Sequence, residues 1–310
     1  GTMQRQQAFT GTEKLLKGGL HCHTTRSDGQ ETPEEVIRMH EEHGYDFLSI
    51  TDHRIYNYRN FLPGSKLTIL PGMEMDRGLV KDLGHCLHTV CVGPAKEDGN
   101  GFEQDQQFEG GRVATQTEYQ PVLDMIHEAN NLTIYCHPGW SCTPTRSFDK
   151  LEGDIAMELW NTGCVQSNCM DYNNERDWDE LLMLGKKIWG VAADDGHRME
   201  SHCKGWVMVH ANNHPTDIIR ALREGAFYAS CGPEIYDFYV QDGVAHAACS
   251  PAAAISFNWG GSPYHRIRMG ETPLTEASFT LPQHFTYVRI TVTDAQGNMA
   301  WSNPIFLGST

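Results

Sequence analysis

The sequence predicts an α/β protein in which strand–helix units are followed by an all-β segment. From about residue 19 to 233, short apolar runs alternate with helical segments, a pattern typical of βα units around a parallel sheet. After about Pro233 no long helical period is visible, and residues 287–293 alternate as a strand does. With 310 residues, 39% of them hydrophobic, the chain can bury the core of one large domain or two.

The βα region contains candidate strands and helices in alternation. Strands are predicted at 19–23, 47–51, 67–72, 87–92, 132–136, 155–159, 187–193 and 206–210. The first helix follows Thr32, which can cap it, with Pro33 in the first turn and Glu35 completing a capping box. Gly44 would end this helix. Further helices are predicted at 120–129, 178–184 and 215–223.

The composition changes at about residue 233, which divides the chain into segments. Residues 17–233 are predicted to form the larger unit, and residues 234–310 a small, sandwich-like all-β module. Within the module, a turn at 294–298 would join strand 287–293 to a strand in 299–306. Residues 1–16 are an N-terminal extension without the basic and then apolar pattern of a signal peptide.

Composition and charge exclude several classes of protein. The formal charge is -16, so broad binding to duplex nucleic acid or to anionic lipid is not expected. No stretch approaches the roughly 18 continuous apolar residues of a membrane-spanning helix. The ten cysteines form no repeated C-x-x-C pair and are interpreted as buried thiols of a reducing compartment. A cytoplasmic location follows, unless an exported precursor has lost its signal; the oligomeric state stays open.

Histidines and carboxylates gather at the carboxyl ends of the predicted strands. Sixteen histidines are present, and the candidate ligands are His21, His23, Asp28, His53, Glu74, His85 or His88, His137, Asp195 and His197. Residues i and i+2 of a strand face the same side, so His21 and His23 can grip one ion together. His85 and His88 are three apart and lie on opposite faces of their strand.

These ligand types predict a metal centre. Imidazole and carboxylate without cysteine suit Zn, Mn or Fe, and nine ligands are too many for one tetrahedral site. Two or three divalent ions are therefore expected. Glu74 is the carboxylate in the middle of the set, and a carboxylate can bridge two ions where a neutral imidazole cannot.

The ordered motifs resemble those of the polymerase-and-histidinol-phosphatase (PHP) superfamily of metal-dependent phosphoesterases. The matching segments are His21-Cys22-His23, Asp28-Gly29, Thr51-Asp52-His53, Gly72-Met73-Glu74, His137-Pro138 and Asp195-Gly196-His197. The resemblance covers about residues 17–232. It implies a distorted (β/α)7 barrel with a trinuclear site at the carboxyl ends of the strands, followed here by the small all-β module.

The resemblance also implies how the ligands divide among three ions. One ion would be held by His21, His23, Glu74 and Asp195, a second by Glu74, the histidine at 85 or 88 and His137, and a third by Asp28, His53 and His197. His88 is favoured, because residues 89–93 follow it as the family's strand does.

The expected reaction is hydrolysis of a small-molecule phosphate ester, of monoester or nucleotide type. A hydroxide bridging the ions would attack phosphorus in line beside Glu74, because clustered divalent ions lower the pKa of bound water and clamp the phosphoryl oxygens. The leaving alkoxide would take its proton from metal-bound water or from a nearby His or Asp. Glu74, Asp195 and His197 are the expected catalytic residues.

Two further sets of residues adjoin the motifs. Arg26, Arg54 and Arg198 lie next to the motif loops and are expected to hold phosphate oxygens. Asp52 and Asp194 are expected to orient ligand imidazoles rather than bind ions themselves.

Two alternative functions remain open at this point. Similar clusters in (β/α) barrels also activate water against amides and lactones, so a metal-dependent hydrolase of another bond is the second reading. In a third reading, the chain is a binding protein whose β-module targets a carbohydrate or a protein.

Overall fold

The computed structural model describes residues 5–9, 15–80, 84–260, 265–283 and 285–307, and therefore only part of the predicted N-terminal extension. The helices are α1 (Pro33–Glu42), α2 (Gln116–Glu128), α3 (Thr162–Asn168), α4 (Glu175–Met183) and α5 (Pro215–Glu224). The strands are β1 (Gln6–Gln7), β2 (Leu15–Gly19), β3 (Phe47–Leu48), β4 (Thr68–Ile69), β5 (Gly72–Leu79), β6 (Cys86–Val92), β7 (Arg112–Val113), β8 (Leu132–Tyr135), β9 (Asp154–Asn161), β10 (Trp189–Ala193), β11 (Trp206–His210), β12 (Phe227–Ser230), β13 (Ile235–Gln241), β14 (Val244–Ala252), β15 (Ala254–Asn258), β16 (His265–Arg268), β17 (Leu274–Thr280), β18 (Tyr287–Thr293), β19 (Met299–Ser302) and β20 (Ile305–Phe306).

The protein is mixed α/β, with several sheets and few helices. One sheet has the order β10-β9-β8-β6-β5-β7. A second runs β16-β15-β18-β19-β12-β11-β2-β3-β4, with β20 paired to β18. A third has the order β1-β13-β14-β17. No helix in these described ranges has the length and hydropathy needed to cross a bilayer.

The expectation of a parallel sheet in the βα region is wrong at β11, which is antiparallel to β2 and β12, and at β6. Strand β6 runs antiparallel to both of its neighbours, β5 and β8. The reason is the length of the connection: β5 ends at Leu79 and β6 begins at Cys86. A parallel crossover needs a dozen residues or more, so such a short link can only return the chain antiparallel.

Helix α1 begins as its capping sequence predicts. The Thr32 side chain accepts from the backbone N–H of Glu35, whose own side chain accepts from the backbone N–H of Thr32. Gly44, with φ of +78°, follows the end of the helix. Helix α3 was not predicted; its seven residues have no apolar period, and the side chain of Asn161 caps its first turn by accepting from Cys164.

The sheet around β12 extends from the βα region into the C-terminal strands. β12 pairs with β11 on one side and with β19 on the other. A buried apolar cluster that includes Phe238, Phe257 and Val292 packs beneath the C-terminal strands, while a separate one that includes Phe47 and Ile134 lies under the N-terminal strands. The sheet is thus continuous across the predicted boundary at 233/234.

Candidate metal centre

The predicted ligands are brought to one place from widely separated parts of the sequence. His21 and His23 follow β2, Glu74 lies on β5, and His88 lies on β6. His137 follows β8, and Asp195 follows β10. A cavity of about 360 Å³ is lined by side chains from these and adjoining segments. Its lining includes Asp28, Gln30, His53, Glu74, His88, His137, Trp140, Cys164, Asp195, His197 and Arg198.

The most buried group consists of His21, His23, Glu74 and Asp195, with one ligand atom of each within 4.8 Å of the others. His21 Nε2 lies 3.2 Å from Glu74 Oε2 and 3.1 Å from Asp195 Oδ1. His23 Nε2 lies 3.0 Å from Glu74 Oε1 and 2.9 Å from Asp195 Oδ1. Two imidazoles and two carboxylates therefore face a single point.

A second group shares Glu74 with the first and adds His88 and His137. Glu74 Oε2 lies 3.4 Å from His88 Nδ1 and 4.0 Å from His137 Nε2. His137 Nδ1 forms a hydrogen bond with Ser141 Oγ at 2.8 Å. The other ring nitrogen, Nε2, is therefore free to bind an ion in the cavity. His85, the other histidine of this strand segment, is exposed and lines a different cavity.

The third group lies nearer to solvent and contains Asp28, His53 and His197 together with His23. Asp28 contacts His197 Nε2 at 3.1 Å and His53 Nε2 at 3.4 Å. The Asp28 side chain is 55% exposed and that of His197 is 36% exposed. This group forms the open side of the cluster.

Several buried atoms of the cluster have no hydrogen-bond partner. They are His21 Nε2, His23 Nε2, Glu74 Oε2, His88 Nδ1 and Asp195 Oδ1. A buried polar atom left unpaired costs about 1–3 kcal/mol, so such atoms are rarely tolerated in one place. Each of these nitrogen and oxygen atoms has a lone pair that can bind Zn, Mn or Fe. The residues present therefore fit divalent cations.

The electrostatics of the cluster also favour positive charge. Burial opposes a charged imidazole at His23, but Asp195 and Glu74 outweigh it and raise the pKa of His23 to about 9. At His53, burial is likewise outweighed by Asp28 and Asp76, and the pKa rises to about 10. Burial alone would raise the pKa of Glu74, but the facing imidazoles lower it well below its usual value. The carboxylates stay ionised and attract cations.

Local backbone geometry turns two of the ligands inward. Asp195, at φ of +51°, donates from its backbone N–H to His21 O at 3.0 Å, and the adjacent Gly196 pairs with Cys22. His137 also has a positive φ, +29°. Left-handed backbone is uncommon outside glycine, and such strain concentrates where a side chain must be aimed at a functional site.

Sequence reasoning missed Glu158, a buried carboxylate whose hydrogen bonds position the candidate ligands His21 and His137. This carboxylate is 1% exposed on β9. Its Oε2 lies 2.7 Å from His21 Nδ1, and its Oε1 accepts from the backbone N–H of His137 and from Asn161 Nδ2. Asn161 also donates to Asp195 Oδ2 at 3.1 Å. Glu158 thereby holds the Nδ1 proton of His21 and leaves Nε2 free for an ion.

Glu158→Gln is expected to weaken binding of a divalent ion by about 10–100-fold. The new amide must turn its NH2 group toward either the His21 N–H or the His137 N–H, and both of these are donors. The measurement is equilibrium dialysis of the metal-free protein against Zn or Mn, with Glu180→Gln, an exposed position on α4, as the matched control. Equal affinities of the two variants would contradict this role.

Asp52 and Asp194 hold backbone turns in the structure, and Asp52 is also linked to a ligand imidazole through Ser27, whose hydroxyl oxygen lies 3.5 Å from His23 Nδ1. Asp52 accepts from the backbone N–H and the hydroxyl of Thr24 and from the hydroxyl of Ser27. Asp194 accepts from the Thr162 hydroxyl at 2.7 Å and from backbone N–H groups of residues 203–205. An orienting role of Asp52 and Asp194 stays a prediction, while Glu158 contacts His21 Nδ1 directly at 2.7 Å and Asp76 contacts His53 Nδ1 at 3.0 Å.

The arginines predicted to bind substrate lie in different settings. Arg198 lines the cavity, with its Nε 3.4 Å from Glu200. Arg26 is paired with Asp105, and Arg54 with Asp76. Neither Arg26 nor Arg54 is among the described residues that line the cavity.

Comparison with protein-family models and with curated protein sequences found no match. Among solved structures, a two-domain protein from Bacteroides vulgatus containing a predicted PHP-like metal-dependent phosphoesterase aligns at a TM-score of 0.46 with 12% identity, over 94% of each chain. A protein from Bifidobacterium adolescentis described as a metal-dependent phosphoesterase aligns at 0.41 with 13% identity, over 60% of this chain and 89% of its own. An amidohydrolase from Chromobacterium violaceum with bound sulfate aligns at 0.40 with 14% identity, over 58% and 87%. All three TM-scores lie below 0.5, so these likenesses carry no argument for an activity.

Proposed function

We propose that this chain is a metal-dependent phosphoesterase that hydrolyses a small-molecule phosphate ester at a site for three divalent ions. One observation carries the proposal. The Glu74 carboxylate is 1% exposed and lies within 4.0 Å of ring nitrogens of His21, His23, His88 and His137, while its Oε2 has no hydrogen-bond partner. Zn, Mn or Fe would suit these donors.

Divalent ions held there would lower the pKa of water and neutralise charge on phosphoryl oxygens. The chain's own residues then have separate tasks. Glu74 and Asp195 hold the buried imidazoles in position, since both contact His21 and His23. His197, at the open side, would hold the third ion through Nε2, since its Nδ1 lies 2.9 Å from the backbone carbonyl oxygen of Asp195. Arg198 on the cavity wall supports phosphate binding, because guanidinium matches phosphate in shape and charge.

The cavity of about 360 Å³ suits a compact ester, a monoester or a single nucleotide. We assign the hydrolase to residues 17–233, in the distorted (β/α)7 arrangement that the motifs imply, and the β-module to residues 234–310. Support for a joint role of the two parts comes from the pairing of β12 with β19.

The test is reconstitution of activity by ions. Protein stripped with a chelator is refilled with Mn or Zn and assayed with p-nitrophenyl phosphate, bis-p-nitrophenyl phosphate and nucleotides, beside a panel of amides and lactones. We expect phosphate-ester hydrolysis to return with the ions in the wild type and not in Glu74→Gln. Cleavage confined to amides or lactones, or no phosphate release by the ion-loaded protein, would overturn the proposal.

A further inference from the structure

A cysteine that belongs to none of the predicted motifs lies in the wall of the metal cavity. Cys164, in the first turn of α3, is 4% exposed and is among the residues that line this cavity. Its Sγ lies within 4.8 Å of a ring nitrogen of His137 and of a carboxylate oxygen of Asp195, as these do of each other. Within the described part of the chain, its sulfur makes no hydrogen bond.

A second observation marks the same space as a place for a ligand. Glu74 Oε2, buried and without a hydrogen-bond partner, lines the cavity and lies 4.0 Å from His137 Nε2. The same His137 Nε2 is 3.9 Å from Asp195 Oδ2. Imidazole, carboxylate and sulfur thus lie around one position, and the unpaired Glu74 oxygen lies 4.0 Å from the same imidazole.

We propose that Cys164 is a sulfur ligand of the ion held by His137, and that it biases this position toward Zn over Mn. The inference rests on the proposed metal centre. Nitrogen and oxygen donors alone separate these ions poorly, whereas a thiolate favours Zn and disfavours Mn. On coordination, the thiol proton passes to solvent and a sulfur–metal bond forms, with no change in oxidation state.

Another buried thiol provides a matched control. Cys136 lies with His21 and Glu158 in a comparable group. In that group, however, His21 Nδ1 is hydrogen-bonded to Glu158 Oε2 at 2.7 Å, and Cys136 Sγ donates to the carbonyl of Ile134 at 3.5 Å. Cys136 is fully buried and is not among the residues that line the cavity. It shares the burial of Cys164 but not its access to an ion.

The experiment is a titration of the metal-free full chain with Co(II), followed by absorption spectroscopy. A Co–thiolate bond gives a sulfur-to-cobalt charge-transfer band in the near ultraviolet, which nitrogen and oxygen ligands do not give. We expect the band in the wild type and in Cys136→Ala, and its loss in Cys164→Ala. A wild type without the band, or a band that persists in Cys164→Ala, would overturn the inference.

Competition between Zn and Mn gives a second readout, with Cys164→Ser as a second variant should the alanine variant fail to fold. The ratio of bound Zn to bound Mn is expected to fall when the sulfur is removed, because the one position that Cys164 faces loses its preference for Zn while the other positions keep theirs. An unchanged ratio contradicts the inference. Failure of the proposed function is distinguished from failure of this inference by a different measurement. If the ion-loaded wild type hydrolyses no phosphate ester, the proposed function fails, whether or not the Co(II) protein shows the thiolate band.

Discussion

Glu74→Gln is expected to abolish most hydrolysis and to remove at least one bound ion. The substitution keeps the size of the side chain but replaces a carboxylate oxygen by an NH2 group that cannot bind a cation. Because Glu74 is shared by two of the three ligand groups, both lose their common anion. If the ions supply about 4 kcal/mol of transition-state stabilisation, kcat/KM falls about 10³-fold.

The measurement combines metal analysis of the purified protein with initial rates on p-nitrophenyl phosphate. Glu180→Gln makes the same chemical change at an exposed site and should keep both the metal content and the rate. Circular dichroism of Glu74→Gln would show whether the fold is intact. If the Glu74→Gln protein binds as many ions as the wild type and hydrolyses the substrate at the wild-type rate, Glu74 is required neither for metal binding nor for hydrolysis.

The candidate ligand residues come together in the structure, and each motif that named them is short and local. The i and i+2 spacing of His21 and His23 places both on one face, and their ring nitrogens do lie close to the same two carboxylates. The capping box at Thr32 is equally local and appears as predicted. Features of this kind can be predicted from a few neighbouring residues alone.

The features that sequence reasoning missed depend on contacts between distant segments. Glu158 lies in the apolar run 155–159, where an acidic residue in a buried strand is itself a signal for a functional role. Its partners His21 and His137 are far along the chain, so the pattern alone does not reveal them. The pairing of β12 with β19 is non-local in the same way and cannot be derived from periodicity.

Charge pairing between strands and helices is another long-range feature. Arg289 on β18 is completely buried and contacts two carboxylates of α4. Its Nε and Nη2 donate to Asp179 at 2.9 and 2.6 Å, and its Nη1 donates to Glu175 at 2.8 Å. Tyr287 adds a hydrogen bond to Asp179, and the guanidinium stacks over Trp178. This cluster links the predicted β-module to the βα region.

Arg289→Ala is expected to lower the free energy of unfolding by about 3–5 kcal/mol, because two buried carboxylates lose their counter-charge and remain desolvated. In thermal unfolding this corresponds to a fall in Tm of roughly 5–15 °C. Arg268→Ala, on the exposed edge strand β16, removes the same charge and should change Tm little.

The triple variant Arg289→Met, Asp179→Leu and Glu175→Leu separates the loss of pairing from the loss of packing. If unpaired charge is the main penalty, replacing the whole cluster by apolar side chains should restore a substantial part of the lost stability. If the triple variant is no more stable than Arg289→Ala, packing of the guanidinium against Trp178 dominates instead. A Tm for Arg289→Ala equal to that of the wild type would show that the cluster does not hold the C-terminal strands to α4.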